Sequence, residues 1–449
     1  VAARESVDTD SDPSTQTWSY APHSARPLSG YRTVVLTSNE VSATTHKYLA
    51  RYAQAEASIA AELDEDFEHV VVVPALAESS RFISDLAPGL ASARALVILV
   101  INATEERSAS DHETNAMLVS ALRGSGRPWW RTRDRGIDLL VIDRSSPGRR
   151  LPKGEGVGLA RRIGCDLALA LIEAGKAKSR WIHMTDADVA LPSDYLSAST
   201  SCHGAALCYR FWHQCDYELQ ADRALAIYEI WLRYYVVGLR QSGSAFGFHT
   251  IGSTLAIDAD AYAGVRGIPR RQAGEDFYLV NKVVKLGSVA TPTSAPLSIR
   301  SRASDRVPFG TGPGVHRIRQ ELESGDVPQF YHPRTFELLS QWHAWLGDQA
   351  STDRADWSRL DPLLHQAAIA VGAPAAISNI QETTATAEAR GRRLRDWCDG
   401  FKTLKLIHAL RDLQLGTVPW TDAVRALGAP TTDLESTRRW LAERDGPLP

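Results

Sequence analysis

The length, composition and charge of this chain argue against several classes of protein. It has 449 residues, of which 44% are hydrophobic and 23% charged, and its 50 basic and 53 acidic side chains leave a net charge of −3. This balance is ordinary for a globular protein of two or three domains. It gives no global electrostatic footprint for nucleic acid or for an anionic membrane.

The apolar runs of the sequence are short. The longest, 70–77 and 95–103, fall well below the roughly 18 residues that a membrane span requires. No apolar signal segment follows the N-terminus, so we expect a cytoplasmic protein without a transmembrane segment. The five cysteines form no C-x-x-C pair, and a disulfide framework is not expected.

The first 66 residues precede the main domain. Residues 1–30 are rich in Ser, Thr, Asp and Pro without a hydrophobic period, which predicts a mobile arm. Residues 31–66 form a lead-in, with a short strand expected at 33–36. A helix is expected at 48–63, where Ala, Glu and Gln are frequent.

From there, apolar β-branched runs alternate with helical stretches. Four runs are expected to be strands: 69–73, 95–102, 137–143 and 181–185. Together with a helix at 157–174, they indicate βαβ units and a mostly parallel open sheet, that is, an α/β domain over 67–300. Ligands of such sheets bind beyond the carboxyl ends of the strands, so we expect the chemistry in the loops there.

The remainder of the chain is less regular at first and then helical. A long helix is expected at 223–239, and its aromatic residues, at helical spacing, are interpreted as core. Residues 301–330 are basic and glycine-rich, and form either a linker or a lid. Residues 331–449 are expected to be a helical extension with helices at 336–346, 360–371, 384–410 and 420–427.

An apolar strand that starts at Trp181 runs directly into Asp186 and Asp188. Carboxylates at i and i+2 of an extended chain point to the same side. Mg²⁺ and Mn²⁺ prefer oxygen ligands and are commonly held by one or two carboxylates plus phosphate oxygens of a substrate. The pattern therefore predicts a metal-assisted clamp for a diphosphate. The alternative is a solvated Asp-rich turn, which the position at the end of a strand disfavours.

A glycine-rich loop joins basic residues to the start of the helix at 157–174. It contains Gly154, Gly156 and Gly158, flanked by Arg and Lys side chains. Glycine lets a backbone approach phosphate closely, and a helix N-terminus favours negative charge. A diphosphate would suit this loop. A dinucleotide-binding fingerprint is disfavoured by the Gly-x-Gly-x-Gly spacing and by the position after the third strand, while a flexible basic loop stays possible.

Two adjacent acids, Glu275 and Asp276, precede an apolar helical run. Acidic residues in a first helical turn are favoured by the helix dipole, so simple capping is one interpretation. The other is catalytic, since an attacking hydroxyl requires a carboxylate within hydrogen-bond reach to take its proton. Capping alone would not require both acids.

In this order, the three pieces resemble the GT-A glycosyltransferases, most closely the family 2 type, over roughly 68–289. The segment 73–78 resembles the Pro-x-x-Asn-Glu end of the family's first strand, with Ala77 in place of the Asn. The segment 156–162 is similar to its Gly-x-x-x-Ala-Arg-Asn helix start, with Arg162 in place of the Asn. The resemblance implies a GT-A-like nucleotide-diphospho-sugar transferase domain followed by a helical C-terminal extension.

The resemblance also implies a role for each matching residue. Donor-binding positions would be Pro74, Ala75, Glu78, Asn102, Gly156, Gly158, Arg161 and Asp186. Asp188, supported by Asp186, would hold Mn²⁺ or Mg²⁺. Asp276, with Glu275 beside it, would be the base, so transfer of the sugar to an acceptor hydroxyl would invert the anomeric carbon. Retaining enzymes of the fold often use a later histidine as a metal ligand, for which His316 or His332 is a candidate.

The acceptor side is less defined. By resemblance, Gly252 and Gly267 lie in glycine-containing acceptor segments, and Trp212, near the end of an apolar run, is a further acceptor candidate. His213 and the cysteines near it fit no structural zinc spacing. The chain lacks a Gln-x-x-Arg-Trp motif followed by membrane spans, so a long-polymer synthase is not expected. The acceptor could be a small molecule or a glycan.

Two other functions stay open at this level. A nucleotidyltransferase could join a sugar phosphate to a nucleotide with a similar sheet, loop and carboxylates, and would release pyrophosphate. A catalytically degenerate domain could bind only a nucleotide or a partner, an alternative that Ala77 and Arg162 keep open and that the four acids disfavour. The sequence does not identify the base, the sugar, the acceptor or the oligomeric state.

Overall fold

The computed structural model describes residues 42–124, 126–215, 219–270, 274–300 and 311–446. The expected N-terminal arm, the strand expected at 33–36 and the first ten residues of the basic segment 301–330 lie outside these ranges.

Strands and helices alternate in the first half of the described chain, and helices dominate the second. The strands are β1 His69–Ala75, β2 Ala95–Asn102, β3 Trp129–Asp134, β4 Ile137–Arg144, β5 Trp181–Met184, β6 Val189–Ala190, β7 Ala206–Cys208, β8 Phe211–His213, β9 Leu255–Asp258, β10 Val289–Ala290, β11 Leu297–Ile299, β12 Gln329–Tyr331 and β13 Thr417–Pro419. The helices are α1 Ala43–Arg51, α2 Phe82–Leu90, α3 Ala109–Ala121, α4 Val157–Glu173, α5 Gln220–Gln241, α6 Ala259–Gly264, α7 Glu275–Val283, α8 Thr311–Glu323, α9 Arg334–Asp348, α10 Pro362–Ala370, α11 Ala373–Thr383, α12 Ala387–Trp397, α13 Gly400–Leu410, α14 Trp420–Ala426 and α15 Leu434–Arg444.

Eight strands form one large sheet in the order β10-β7-β9-β5-β1-β2-β4-β3. Its centre is parallel: β5, β1, β2 and β4 run together, with Val72 beside both Ile98 and Met184. The expected strands in this region are confirmed, as is the α/β class. Because four parallel strands lie side by side, their carboxyl ends meet at one edge of the sheet.

The sheet is mixed rather than mostly parallel, because β9 and β3 run against their neighbours. The sequence patterns did not indicate β3. It joins β4 through the two residues Arg135 and Gly136, whose φ angles are 48° and 83°. A two-residue turn with both φ angles positive produces a tight antiparallel hairpin.

Both faces of the parallel strands are covered. Val70 and Val72 pack in the core beneath α4, whereas Val71 and Val73 lie in the core on the other face, with α2. All seven residues of β1 are buried, since alternate side chains of a strand point to opposite faces and here both faces are covered. This explains the uninterrupted apolar run in the sequence.

A separate core joins α5 to the helices that follow residue 331. The single helix expected at 384–410 is interrupted, because Thr386 and Asp399 each accept backbone N–H bonds and so begin α12 and α13. The helix expected at 48–63 is α1 followed by a 3₁₀ helix, Ala55–Glu62. Part of the expected linker or lid, Thr311–Glu323, is the helix α8.

Two further features bear on the sequence-based expectations. No single described helix has both the length and the apolar composition to cross a membrane; α10 and α11 together would, but the pair is bent by 78°. All five cysteines are free thiols.

Candidate functional site

A cleft of about 980 Å³ lies beyond the carboxyl ends of β1, β2 and β5. Loops and helix ends from distant parts of the chain form its walls. They contribute Pro74, Leu76, Glu78, Asn102–Thr104, Glu106, Arg107, Gly154–Val157, Arg161, Asp186–Asp188, His213, Thr250–Ser253, Gly274–Asp276, Ile299 and Arg300. Further lining comes from α5, through Ala221, Leu225, Tyr228 and Leu232, and from α8, through Thr311, Gly312, Val315, His316 and Arg319.

Arg161 is the centre of the polar floor of the cleft. It projects from α4, is only 5% exposed, and its Nη2 donates to both carboxylate oxygens of Asp186, at 2.6 and 2.8 Å. Its Nη1 donates to Oε1 of the buried Glu275. Burial opposes the charge of the guanidinium, but Asp186 and Glu275 outweigh it and raise the pKa of Arg161. One buried cation therefore connects two segments that are far apart in sequence.

A glycine gives this cation its space. A Cβ atom on Gly252 would lie 2.5 Å from Nη1 and 2.7 Å from Cζ of Arg161, so no other residue fits there without displacing the guanidinium. The backbone N–H of the same glycine donates to Oδ2 of Asp276 at 2.9 Å. Gly252 was expected on the acceptor side; the structure places it between the arginine and the second acid.

Asp276 differs from the acid next to it. Its Oδ2 accepts from Gly252, and its Oδ1 accepts from the N–H of Phe277 at 2.7 Å. Burial, and then the charge of Glu275, raise the pKa of Asp276 to about 6, against the opposing effect of Arg161. Glu275 is bound to the arginine, whereas Asp276 has only backbone N–H partners in the hydrogen bonds above. A carboxylate with such a pKa can take a proton near neutral pH.

The acids lie at the start of α7 because of a turn in the backbone before them. Gly274 has φ +70°, a left-handed conformation that glycine adopts without strain, and α7 begins directly after it. The capping interpretation of the sequence pattern is thus partly right, since Glu275 and Asp276 occupy the first turn of the helix.

A network of side-chain amides shapes the opposite wall. Asn102, at the end of β2, donates through Nδ2 to the carbonyls of Ala75 (3.0 Å) and Val100 (3.2 Å). Its own carbonyl accepts from Asn115, whose Oδ1 accepts from the N–H of Ala77 at 2.8 Å. Ala77 has φ 52°, which is unusual for a residue with a side chain. Asn115 therefore holds the loop after β1 in place.

The two acids of the Asp-x-Asp pattern have different surroundings. Both oxygens of Asp186 accept from Arg161, whereas Asp188 lies at the edge of a three-stranded sheet, β6-β11-β8, where its carbonyl accepts from the N–H of Arg300 at 3.0 Å. His316 is exposed on α8, with its Nδ1 3.3 Å from Nη2 of Arg319. In the part of the chain that the structure describes, no three His, Cys, Asp or Glu side chains are grouped as metal ligands.

The described lining carries a surplus of negative charge. It contains seven carboxylates and four guanidiniums, and two of the carboxylates, Glu106 and Glu155, pair with Lys153 and Arg270 outside the lining. A hard divalent cation bound beside an anionic ligand would offset negative charge of the remaining carboxylates. Asp188 offers the oxygen chemistry that such an ion prefers, and one carboxylate plus phosphate oxygens is a common Mg²⁺ arrangement. The residues present therefore fit an ion that arrives with a diphosphate.

Most of the residues expected at the donor, catalytic and metal sites line this one cleft. These are Pro74, Glu78, Asn102, Gly156, Arg161, Asp186, Asp188, Gly252, Glu275, Asp276 and His316. Four others do not line it: Ala75 and Gly158 are buried, in β1 and α4. Gly267 packs against the hydroxyl of Tyr48. Trp212 lies beneath the guanidinium of Arg438 at 3.9 Å, because successive side chains of β8 point to opposite faces.

Several lining residues were not expected from the sequence. Thr104 and Arg107 follow β2, in a loop where ligand contacts were anticipated only in general terms. Tyr228, interpreted as core, is buried but borders the cleft from α5. His213 was considered only as a zinc ligand. No short-range pattern marks Tyr228 or His213, because the packing of α5 and β8 against the cleft places them there.

Comparison with known proteins finds no match of this sequence to a protein-family model and no significant match to a curated protein.

Proposed function

We propose that this chain is a metal-dependent glycosyltransferase of the GT-A kind, which transfers a sugar from a nucleoside diphosphate sugar to an acceptor hydroxyl. One observation carries the proposal: a carboxylate with a raised pKa, Asp276, borders the same cleft as the glycine-rich start of α4 and the Asp-x-Asp turn. The resemblance of these three motifs to the family, in the same order along the chain, supports it.

Asp276 would act as the base. The acceptor O–H proton passes to its carboxylate while the acceptor oxygen bonds to the anomeric carbon. The bond from that carbon to the β-phosphate oxygen breaks, and its electron pair leaves with the nucleoside diphosphate. Attack opposite the leaving group inverts the anomeric carbon. The N–H groups of Gly252 and Phe277 hold the carboxylate in position for this step.

Arg161 would organise the donor side. By binding both Asp186 and Glu275 it fixes two acids beside the reacting centre. The glycine-rich residues Gly154–Val157 lie where the backbone of a helix start can approach phosphate. Asp188 would hold the divalent ion together with the diphosphate. That ion, when bound, supplies positive charge to the departing diphosphate.

Donor binding can be tested by thermal unfolding against nucleoside diphosphates and their sugars, with and without Mn²⁺. A ligand that binds only the folded state raises its stability, by about 2.7 kcal/mol at a hundredfold excess over Kd. We expect a Mn²⁺-dependent shift with one nucleotide that Asp188→Asn abolishes. The control is Asp348→Asn, since Asp348 is an exposed acid outside the cleft. If none of the nucleotides shifts the unfolding temperature, the proposal is contradicted and a degenerate domain is favoured.

Turnover then tests the base. With the donor identified, Asp276→Asn should lower sugar transfer by about 10²- to 10⁴-fold while the donor-induced stabilisation persists, since the residue acts on the acceptor proton. The products are nucleoside diphosphate and glycoside. Release of pyrophosphate instead would identify a nucleotidyltransferase, and full transfer by the folded Asp276→Asn variant would refute the assignment of the base.

A further inference from the structure

His213 is the one described lining residue whose ring is held by a buried carboxylate. It is 3% exposed, and its Nδ1 lies 2.8 Å from Oε2 of Glu229 on α5. The same oxygen accepts from the backbone N–H of His213 at 3.0 Å and from Nη2 of Arg438 at 2.8 Å. Arg233 donates through Nε to the other oxygen at 2.8 Å. The ring is therefore fixed in position and orientation.

The charges around the ring determine which nitrogen carries the proton. Burial opposes ionisation of Glu229, but Arg233, His213 and Arg438 hold its pKa well below the usual range. Glu229 and Asp445 together balance the two buried guanidiniums. Since an ionised carboxylate only accepts, the neutral imidazole carries its proton on Nδ1. Nε2 is then an unprotonated acceptor, and no described residue bonds to it.

The walls around this acceptor are apolar. Glu229 contacts His213 from one face of α5. Leu225 and Leu232, four residues before and three residues after Glu229, lie on the same face of the helix and line the cleft. On the other side, Ile299 is the strand partner of His213. Val315 of α8 and Ile251, the neighbour of Gly252, also line the cleft. The donor side, by contrast, is lined by Asn102, Thr104, Glu106 and Arg107.

This end of the cleft and the proposed base border the same space. Burial is the largest cause that raises the pKa of Tyr228, and the charge of Asp276 adds to it. This tyrosine is on the same face of α5 as Leu225 and Leu232. α8 lies against it closely, with Gly314 next to the ring of Tyr228. A hydroxyl compound placed among these side chains would therefore occupy the same cleft as Asp276.

We propose that His213 is a substrate-binding residue: its Nε2 accepts a hydrogen bond from a hydroxyl of the acceptor, and the acceptor carries that hydroxyl on an apolar body. Glu229 and Arg438 are positioning residues that act through His213. The identification of the bound molecule as the sugar acceptor rests on the proposed function. The ring geometry and the apolar walls do not depend on it.

The ring can be observed directly in the full chain labelled with ¹⁵N-histidine. Long-range ¹H–¹⁵N correlation, with the His213 signals assigned by their loss in His213→Asn, should show that the neutral ring carries its proton on Nδ1 and none on Nε2. A proton on Nε2, or on both nitrogens, would overturn the proposal. Asn is the informative replacement, because its amide N–H can replace the Nδ1 donor to Glu229 while nothing occupies the position of Nε2.

The ligand class is tested in the same spectra with octyl β-glucoside below its micelle concentration, and with glucose at equal concentration. We expect octyl β-glucoside to shift the Nε2 signal of His213 more than glucose does. His343, a buried histidine on α9 that does not line the cleft, should not respond. No shift at His213, an equal shift with glucose, or an equal response of His343 would each overturn the proposal. This result stands even if no sugar transfer is found.

Kinetics separate binding from a structural role. With the donor found as above, His213→Asn should raise the KM for octyl β-glucoside about tenfold, the effect of about one hydrogen bond, with a much smaller change in kcat. The matched control is His343→Asn, where the amide can likewise replace a donor to the carbonyl of Ser242. A fall in kcat with an unchanged KM in His213→Asn would assign it a structural role and overturn the proposal. Absence of any donor turnover would instead count against the proposed function.

Discussion

Two adjacent acids at the start of α7 acquire different properties from their neighbours. Glu275 is buried and receives a hydrogen bond from Arg161, whereas Asp276 is held by the N–H groups of Gly252 and Phe277. A carboxylate without a bound cation, close to a second acid, is easier to protonate. This difference suits one acid to fixing the site and the other to exchanging a proton.

The raised pKa of Asp276 predicts two pH effects. Its value rises from 3.8 to about 6 on folding, so ionisation of this group is harder in the folded state, and stability is lost as the pH rises through that interval. Asn does not ionise, so Asp276→Asn removes this loss of stability. The Tm of the variant relative to the wild type should therefore rise between these two pH values and then level off. If Asp276 is the base of the proposed sugar transfer, the rate should fall as the pH is lowered through about 6, because the base must be ionised.

The measurements are thermal unfolding across pH and a pH–rate profile. The control is Asp348→Asn, which changes an exposed acid outside the cleft. A difference for Asp276→Asn that is independent of pH would contradict the assigned shift, and so would a rate with no inflection near pH 6.

Among the elements, α15 has the most consequential contacts with the wall of the cleft. Its Arg438 is fully buried, and Nη2 donates at 2.8 Å both to Glu229 and to the carbonyl of His213. Asp445, just after the helix, accepts from Arg233 and His249, each at 2.7 Å. The last described helix is thus connected to β8 and α5 by buried charges rather than by apolar packing alone.

Removing one charge of this network should be costly. Arg438→Gln leaves Glu229 with one cation fewer in a buried site, and we expect the free energy of unfolding to fall by about 3–5 kcal/mol. The control is the next residue on α15, Arg439→Gln, whose side chain is 71% exposed and pairs with Glu435. There we expect a change within about 0.5 kcal/mol. Denaturant unfolding measures both. Equal effects of the two substitutions would contradict the role of the buried charges.

At the scale of the whole molecule, α5 belongs to two structural units. Its Tyr234 and Val237 lie in the core shared with the C-terminal helices, whereas Glu229 and Arg233 bind residues of β8. Neither the sheet nor the helical half can therefore lose α5 without exposing part of its own interior. This sharing favours a single cooperative unit.

Hydrogen exchange measures that cooperativity. As denaturant is raised, amides of β1 and of α9 should merge into the same unfolding transition, because opening either unit exposes α5. The comparison within the molecule is α12, which has only one buried residue, Leu394, and whose amides should exchange through smaller openings. If α9 lost protection at clearly lower denaturant than β1, the helical half would be an independent unit.

The sequence alone was sufficient for the parts of the fold whose signal is local. β1 and β2 are nearly continuous apolar runs, and β4 and β5 are largely apolar. Burial on both faces of a parallel sheet favours such runs. The pair Asp186 and Asp188 could be placed at the carboxyl end of a strand for the same reason. Given that topology, the donor and catalytic candidates were expected together, and most of them border one cleft.

Only the tertiary structure decided which partner each polar side chain has. Arg161 lies 25 positions from Asp186 and 114 from Glu275 along the chain, and Arg438 lies 225 from His213, so no window of sequence contains these pairs. The same holds for Trp212 and His213: the two are adjacent, and only the packing of β8 decides which one borders the cleft. Patterns of burial are repeated along the chain and can be read locally, whereas a site of specific hydrogen bonds depends on contacts between distant segments.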